Sequence, residues 1–286
     1  MSASSPLIVG VVGAGRVGAV LGAALTAAGH HVVAAAAVSA ASRERAARLL
    51  PGAAILPADE VARAARDLLL LAVPDDALAG VVSGLKATGA LRPGQRIAHT
   101  SGAHGLAVLG GEGLALHPAM TFTGADTDLE RLPGIAWGIT TADRVFAARL
   151  VADLGGVPEW VAEDARPVYH AALAHGANHL VTLVNEAADL LRAAGIGEPS
   201  RVLSPLLHAA LDNALRLGDA ALTGPVSRGD AGTVGRHLDR MPPESRAAYL
   251  ALARRTADRA IAAGRLRPQD AGPLLDVLES KIGSPA

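Results

Sequence analysis

The sequence predicts an α/β protein, an N-terminal doubly wound parallel sheet followed by an all-helical domain. Short apolar runs alternate with helical patterns through the first half, as parallel α/β sheets require. The first strand-to-helix turn is glycine-rich, and beyond Glu163 the strand patterns stop.

The first strand is expected over 7–12, and Gly13-Ala14-Gly15-Arg16-Val17-Gly18 follows it directly, ahead of an Ala-rich helix. Each glycine has a mechanical task. Gly13 permits the tight turn, Gly15 lets backbone approach a pyrophosphate, and Gly18 lets the helix pack on the sheet. The helix N-terminus, opened by Arg16 and Val17, supplies free N–H groups to the anion. With strand before and helix after, this Rossmann-type signature points to a dinucleotide.

The second strand is expected over 31–37, and its end selects the dinucleotide. An NAD site would place Asp or Glu there for the ribose 2′-hydroxyl, yet no acidic residue lies between Gly13 and Glu44. Ser39, Ser42 and Arg43 stand there instead and suit a 2′-phosphate, so NADP is expected over NAD. Ser39 or Ser42 would equally cap the next helix, with Arg43 on the surface; both readings can hold together. A deazaflavin stays open as an alternative cofactor.

Later strands are expected over 67–73, 95–99, 114–116, 135–140 and 157–161, with a helix over 142–154. Pro74 ends the central strand, and Asp75 and Asp76 suit the start of a helix. Val73 and Pro74 are placed beside the nicotinamide ribose. From 164 to 194 runs one long helical pattern, with Asp164 as its expected N-cap and Pro167 in its first turn. Gly195 and Gly197 stop it, and helices are expected over 199–217, 230–239, 244–263 and 267–281. The domains are thus 1–163 and 164–286. A helix so long needs a partner surface, so a homodimer through the helical domain is expected.

Composition narrows the function. Basic and acidic residues number 26 and 27, and aromatics make up 2%; nothing favours nucleic acid or an anionic membrane. The chain has no cysteine, which excludes thiolate catalysis and cysteine-ligated metals and fits a cytoplasmic protein. Residues 6–29 are apolar, with Arg16 and Thr26 as conspicuous exceptions. The start of the chain lacks a basic segment, and a buried strand and helix explain the apolarity better than a membrane span.

Chemistry should gather at the carboxyl ends of the strands. His99-Thr100-Ser101-Gly102 and His117-Pro118-Ala119-Met120 both fall where a nicotinamide ring would rest. His117 is the candidate proton donor, or else a loop histidine satisfied by backbone. Ser101 is a candidate for orienting substrate, and His99 reads as packed. On the long helix Tyr169, His170, His175, Asn178 and His179 recur, the last three on one face; without interleaved acids no metal site is expected. In Thr223-Gly224-Pro225-Val226-Ser227-Arg228-Gly229-Asp230, Asp230 suits a cap, and Arg228 suits a carboxylate or an acid of its own domain.

GAGRVG (13–18), LAVPDD (71–76), HTSG (99–102), LHPAMTF (116–122), YHAALAHGANHL (169–180) and LTGPVSRGDAGTVGRHL (222–238) resemble a bacterial oxidoreductase family. Its members pair a Rossmann-like domain with a helical domain long labelled as of unknown function. The resemblance implies a fold of the 6-phosphogluconate dehydrogenase type, like pyrroline-5-carboxylate reductase and prephenate dehydrogenase, with NADP and a homodimer. In prephenate dehydrogenases a similar His-Pro-Met segment carries the catalytic histidine and a strand-end serine assists. His117 and Ser101 look like those positions, although Ala119 interrupts the match. The lysine that β-hydroxyacid dehydrogenases carry before asparagine on the long helix is missing here, for no lysine lies between Lys86 and Lys281.

The expected activity is therefore NADP-dependent oxidoreduction of a small carboxylate-bearing compound, most simply a 2-oxo acid with ketopantoate as candidate. His117 would move the proton, Ser101 and Asn178 orient the substrate, and Arg228 clamp its carboxylate. The alternatives are an imine reductase of the pyrroline-5-carboxylate reductase type and a non-catalytic NADP-binding regulator.

Overall fold

The structure, a computed structural model, describes residues 5–280. Lys281, the last residue expected in the final helix, lies outside the described residues. The chain divides into two compact units between Gly176 and Ala177, inside the long helical run rather than at its start.

In the first unit, strands β1 (Ile8–Val12), β2 (His31–Ala36), β3 (Ala54–Ile55), β4 (Leu68–Leu71), β5 (Arg96–His99), β6 (Leu114–Pro118), β7 (Ala136–Thr140) and β8 (Val157–Trp160) form one sheet. Its order is β3-β2-β1-β4-β5-β6-β7-β8. Helices α1 (Arg16–Ala27), α2 (Ala40–Leu49) and α6 (Arg144–Asp153) contribute to one apolar core; α3 (Ala58–Ala64) and α4 (Asp75–Ala87) contribute to another. The pleat of β4 sends Leu68 and Leu70 into the first core and Leu69 and Leu71 into the second, because alternate side chains face opposite ways. A strand buried on both faces reads as an unbroken apolar run.

The sheet departs from the expected all-parallel pattern at one place: β7 is antiparallel to β6, pairing His117 with Gly138. The link between them carries α5 (Thr127–Arg131), only about 7.5 Å long at 1.5 Å per residue. It turns back at the same sheet edge instead of crossing a face. β3 and α3 were not expected; two exposed residues, Ala54 and Ile55, are too few to show a period.

The helical run beginning near 164 is not one uninterrupted α-helix. Helix α7 (Arg166–Leu173) passes into a π-turn (Ala174–Asn178) and then α8 (His179–Ala193). Asp164 is not its cap: Ala165 holds that position without a side-chain bond, while Pro167 does sit in the first turn.

The second unit holds α8, α9 (Pro199–Leu217), α10 (Ala231–Arg240), α11 (Pro243–Ala262) and α12 (Pro268–Ser280). Val234, Leu238, Leu250, Ala257, Leu274 and Leu278 lie in its core. Asp230 caps α10 by accepting from the Thr233 N–H, as its sequence position implied. No residue of α8 is buried, and Leu206, Leu211 and Leu215 of α9 are exposed. Among the described residues no helix is long and apolar enough to cross a membrane.

Candidate active site

The turn after β1 has the form that its glycines require. Gly13 adopts φ +96°, and a β-carbon there would meet the Ala72 carbonyl at 2.5 Å. One at Gly18 would meet the Gly13 carbonyl at 2.2 Å. The N–H groups of Gly13 and Ala14 donate to the Ala36 carbonyl, tying the turn to the end of β2. Gly15 is the N-cap of α1, makes no side-chain capping bond, and has no tight neighbour for an added β-carbon. An uncapped helix start with no acidic residue in its first turn favours an anion.

A cavity of about 420 Å³ opens beside this turn, lined in part by Gly15, Arg16, Val17, Val73 and Pro74. Asp75, Ser101, Gly102, His117 and His170 also line it. Asp75 and Asp76 occupy the first turn of α4, where carboxylates suit the helix dipole.

At the end of β2, Ser39 caps α2, accepting from the Ser42 N–H at 3.1 Å, and the Ser42 hydroxyl donates back to the Ser39 carbonyl at 2.8 Å. Arg43 is exposed and donates to the Val38 carbonyl. Arg45, one helical turn from Ser42, was missed from the sequence. A β-carbon on Gly124 would meet Arg45 Nε at 2.4 Å and Arg16 Cγ at 3.1 Å. Buried Asp128 holds that loop by accepting from the N–H groups of Thr123 and Gly124. Arg16 and Arg45 thus both reach Gly124, while Arg43 stands exposed on α2.

The other end is built on β5, β6 and α7. His117 ends β6, and its Nδ1 lies 3.0 Å from the Tyr169 hydroxyl. The two rings meet edge to face at 88°, and His170 lies edge-on at 6.0 Å. Burial is the main cause that pushes His117 down to about 4, with His170 and Arg166 adding to it; Asp75 opposes. The Tyr169 phenol is raised, first by burial.

His99 is wholly buried, as its reading as a packed residue implies. Its Nδ1 accepts from the Ser101 N–H, so its Nε2–H donates to the Gly105 carbonyl at 2.9 Å. Burial again leads in lowering it to about 4. The Ser101 hydroxyl accepts from the His104 N–H, leaving its proton to donate.

Arg166, not singled out from the sequence, is the hub of this region. It is 0% exposed. It donates to Thr140 Oγ1 at 2.8 Å and to the carbonyls of Ser101 (3.2 Å), Ala115 (2.8 Å) and Gly138 (3.0 Å). Among the described residues it makes no ion pair with a carboxylate. The sequence signal was its spacing: Arg166, Tyr169 and His170 stand three and four apart on one helix face.

Ser101 and His117 therefore line one cavity with the glycine turn. Asn178 ends the π-turn, and Arg228 ends a short 3₁₀ turn (Val226–Arg228); both are exposed. Among the described residues no group of three His, Cys, Asp or Glu is arranged to hold a metal.

Fold and site together define a chain with a dinucleotide-type α/β unit and a helical unit. Residues 3–118 match the Rossmann-like domain family. Residues 135–256 match the family described as Domain of unknown function (DUF2520). The chain pairs a Rossmann-like domain with a DUF2520 domain.

A Bacteroides fragilis protein provisionally titled an NADP oxidoreductase is 23% identical, with TM-score 0.75 over 88% of this chain and 98% of its own. An imine reductase from Myxococcus stipitatus in complex with NADP+ is 19% identical, with TM-score 0.63 over 95% and 99%. Pyrroline carboxylate reductase from Plasmodium falciparum, with NADP bound, is 11% identical, with TM-score 0.56 over 96% and 97%. No curated protein sequence matches the chain.

Proposed function

We propose that the chain is an NADPH-dependent reductase of a small molecule and that the bond it reduces is carbon–nitrogen. One observation carries the choice of bond. His117, which lines the cavity together with His170, is lowered to about 4 chiefly by burial, so its ring is neutral at pH 7 and is not by itself the acid that an alkoxide needs. An imine nitrogen is more basic than a carbonyl oxygen, so a weaker acid than an imidazolium can serve it. Imine reductases are among the proteins of like fold.

The cavity fits NADPH on structural grounds. Gly13, Gly15 and Gly18 clear the approach, the open start of α1 would take the pyrophosphate, and Val73 and Pro74 would lie at the ribose. Arg16, Arg43 and Arg45 offer charge to the 2′-phosphate, with Ser39 and Ser42 beside them. Bound NADPH supplies hydride. Ser101 is proposed to hydrogen-bond the substrate through its remaining proton.

The exposed amide of Asn178 and guanidinium of Arg228 suit a polar group and a carboxylate, roles proposed on their chemistry alone. Arg228 keeps a second reading, reduction of a 2-oxo acid, in view. Against a non-catalytic regulator speaks the meeting of His117, Tyr169, Ser101 and Gly102 beside the glycine turn. Cofactor binding is assigned to the sheet domain and homodimerisation to the helical one, where α8 and α9 leave apolar side chains uncovered.

The test follows NADPH absorbance with cyclic imines and 2-oxo acids led by ketopantoate. Oxidation with an imine supports the reading, and oxidation with a 2-oxo acid alone replaces it by the second. A flat trace beside tight NADPH binding favours the regulator.

A further inference from the structure

The cavity presents one face of His117, while the other nitrogen of the same ring meets a half-buried phenol. Gly138 lies so close to the phenol that a β-carbon there would meet Tyr169 Oη, and its backbone N–H favours the phenolate over the phenol. The partner of the Tyr169 hydroxyl is His117 Nδ1, 3.0 Å away, and with the phenol as donor the imidazole accepts at Nδ1. The ring then carries its own proton on Nε2, and Nε2 lies over Gly102 at the cavity wall, 3.0 Å from where a β-carbon would stand.

A neutral imidazole that gives up its Nε2 proton becomes an imidazolate unless another proton reaches Nδ1 at the same time. Tyr169 is placed to provide it. The phenolate left behind would face Arg166, whose guanidinium carbon lies 5.9 Å from the Tyr169 ring centroid. That guanidinium spends its hydrogen bonds on neutral acceptors, so its charge is available to the phenolate, and in a buried site such charge is weakly screened.

We propose that Tyr169 is the proton reservoir of this site, passing its phenolic proton to His117 Nδ1 as His117 Nε2 gives its proton to the substrate nitrogen, with Arg166 stabilising the phenolate. The inference rests on the imine reading and adds that the substrate enters as the neutral imine. The bonds balance. Tyr169 Oη–H and His117 Nε2–H break, while His117 Nδ1–H and the substrate N–H form. The π pair of the C=N bond becomes the N–H bond and the carbon takes the hydride; the Nδ1 proton then returns to the phenolate as water at the cavity gives a proton to Nε2, which restores the starting tautomer. Tyr169 acts through His117 and is a positioning residue.

The groups facing His117 agree with this division of labour. Arg166, Tyr169 and His170 come from α7, His99 from β5 and Asp75 from α4. Burial, His170, Arg166 and His99 all keep the ring neutral, and Asp75 alone opposes. Burial likewise keeps the Tyr169 proton in place, with Arg166 and the Gly138 N–H pulling the other way.

Nitrogen NMR of the ¹⁵N-histidine-labelled full chain, without cofactor, reads the ring directly. The expected result is a neutral His117 with its proton on Nε2 at pH 7, lost as a fixed tautomer in Tyr169→Phe. An Nδ1–H tautomer, or an unchanged ring in the variant, overturns the proposal whether or not a substrate is known.

With a cyclic imine, Tyr169→Phe should lower kcat about 100-fold, as loss of acid catalysis does, and leave NADPH binding unchanged. Replacing Tyr169 by 3,5-difluorotyrosine, nearly isosteric and more acidic, should keep turnover and shift the alkaline limb of the kcat profile to lower pH. Turnover of Tyr169→Phe within two-fold of the parent, or an unmoved limb, overturns the relay. Absence of turnover with every imine sinks the imine reading and the proton transfer that rests on it, whereas the NMR result reports the Tyr169–His117 hydrogen bond apart from any substrate.

Discussion

Gly102 lies against the ring of His117, so that a β-carbon there would meet Nε2 and Cδ2 at 3.0 Å and, on the other side, His170 Cδ2 at 2.6 Å. The glycine is thus a spacer between a loop and two imidazoles. Gly102→Ala should displace one ring, cost about 1–3 kcal/mol as overpacking does, and reduce turnover. Urea denaturation read beside steady-state rates checks both; a variant equal to the parent in stability and rate would show that the rings move freely.

Arg45 and Arg43 should decide between the two nicotinamide dinucleotides. A charged hydrogen bond contributes about 1.5–3 kcal/mol, or roughly 10–100-fold in affinity. Arg45→Ala and Arg43→Ala are each expected to weaken NADPH by that order and leave NADH unchanged. Fluorescence titration with both cofactors is the measurement, and equal losses for both would remove the 2′-phosphate from the argument.

Acid should destabilise the fold through His99 and His117. Both are lowered from 6.5 to about 4, so between those values the unfolded chain binds more protons than the folded one. Stability therefore falls as pH drops from about 6.5 toward 4 and has no further contribution from these rings below that. For wholly buried His99 the full effect is of order 3 kcal/mol. Urea midpoints at pH 4, 5, 6 and 7 should fall with pH, less steeply in His99→Gln; an equal slope in the variant would assign the effect to other groups.

Removing the guanidinium of Arg166 leaves Thr140 Oγ1 and three carbonyl oxygens without their donor. Arg166→Met should cost at least about 1–3 kcal/mol, the penalty for a buried acceptor left without its donor. Arg166→Lys should recover only part, since one ammonium cannot span the four acceptors of a planar fork. Chemical denaturation of the two variants would separate these values. If methionine were tolerated, the hub would be dispensable.

The uncovered apolar residues of α9 should mark a contact between two copies of the chain. Sedimentation equilibrium is expected to show a dimer for the parent and a monomer for the double variant Leu206→Arg, Leu215→Arg. A parent that stays monomeric at micromolar concentration would require another partner for this face.

What the sequence determined by itself is local. The glycine turn, the strand runs, the missing acid after β2 and the caps at Ser39 and Asp230 are all readable, because each depends on residues within a few positions of one another. His117 and Ser101 were visible for the same reason, as polar groups at strand ends. Tertiary structure alone decided what these residues meet. His117 and Tyr169 stand 52 positions apart, and the buried Arg166 gathers acceptors from β6, β7 and the loop after β5. The antiparallel turn of β7 places Gly138 opposite His117, where it makes room for the Tyr169 phenol. The neutrality of His117 comes from the same source, since burial and the charges of distant segments, and no local pattern, lower its affinity for a second proton.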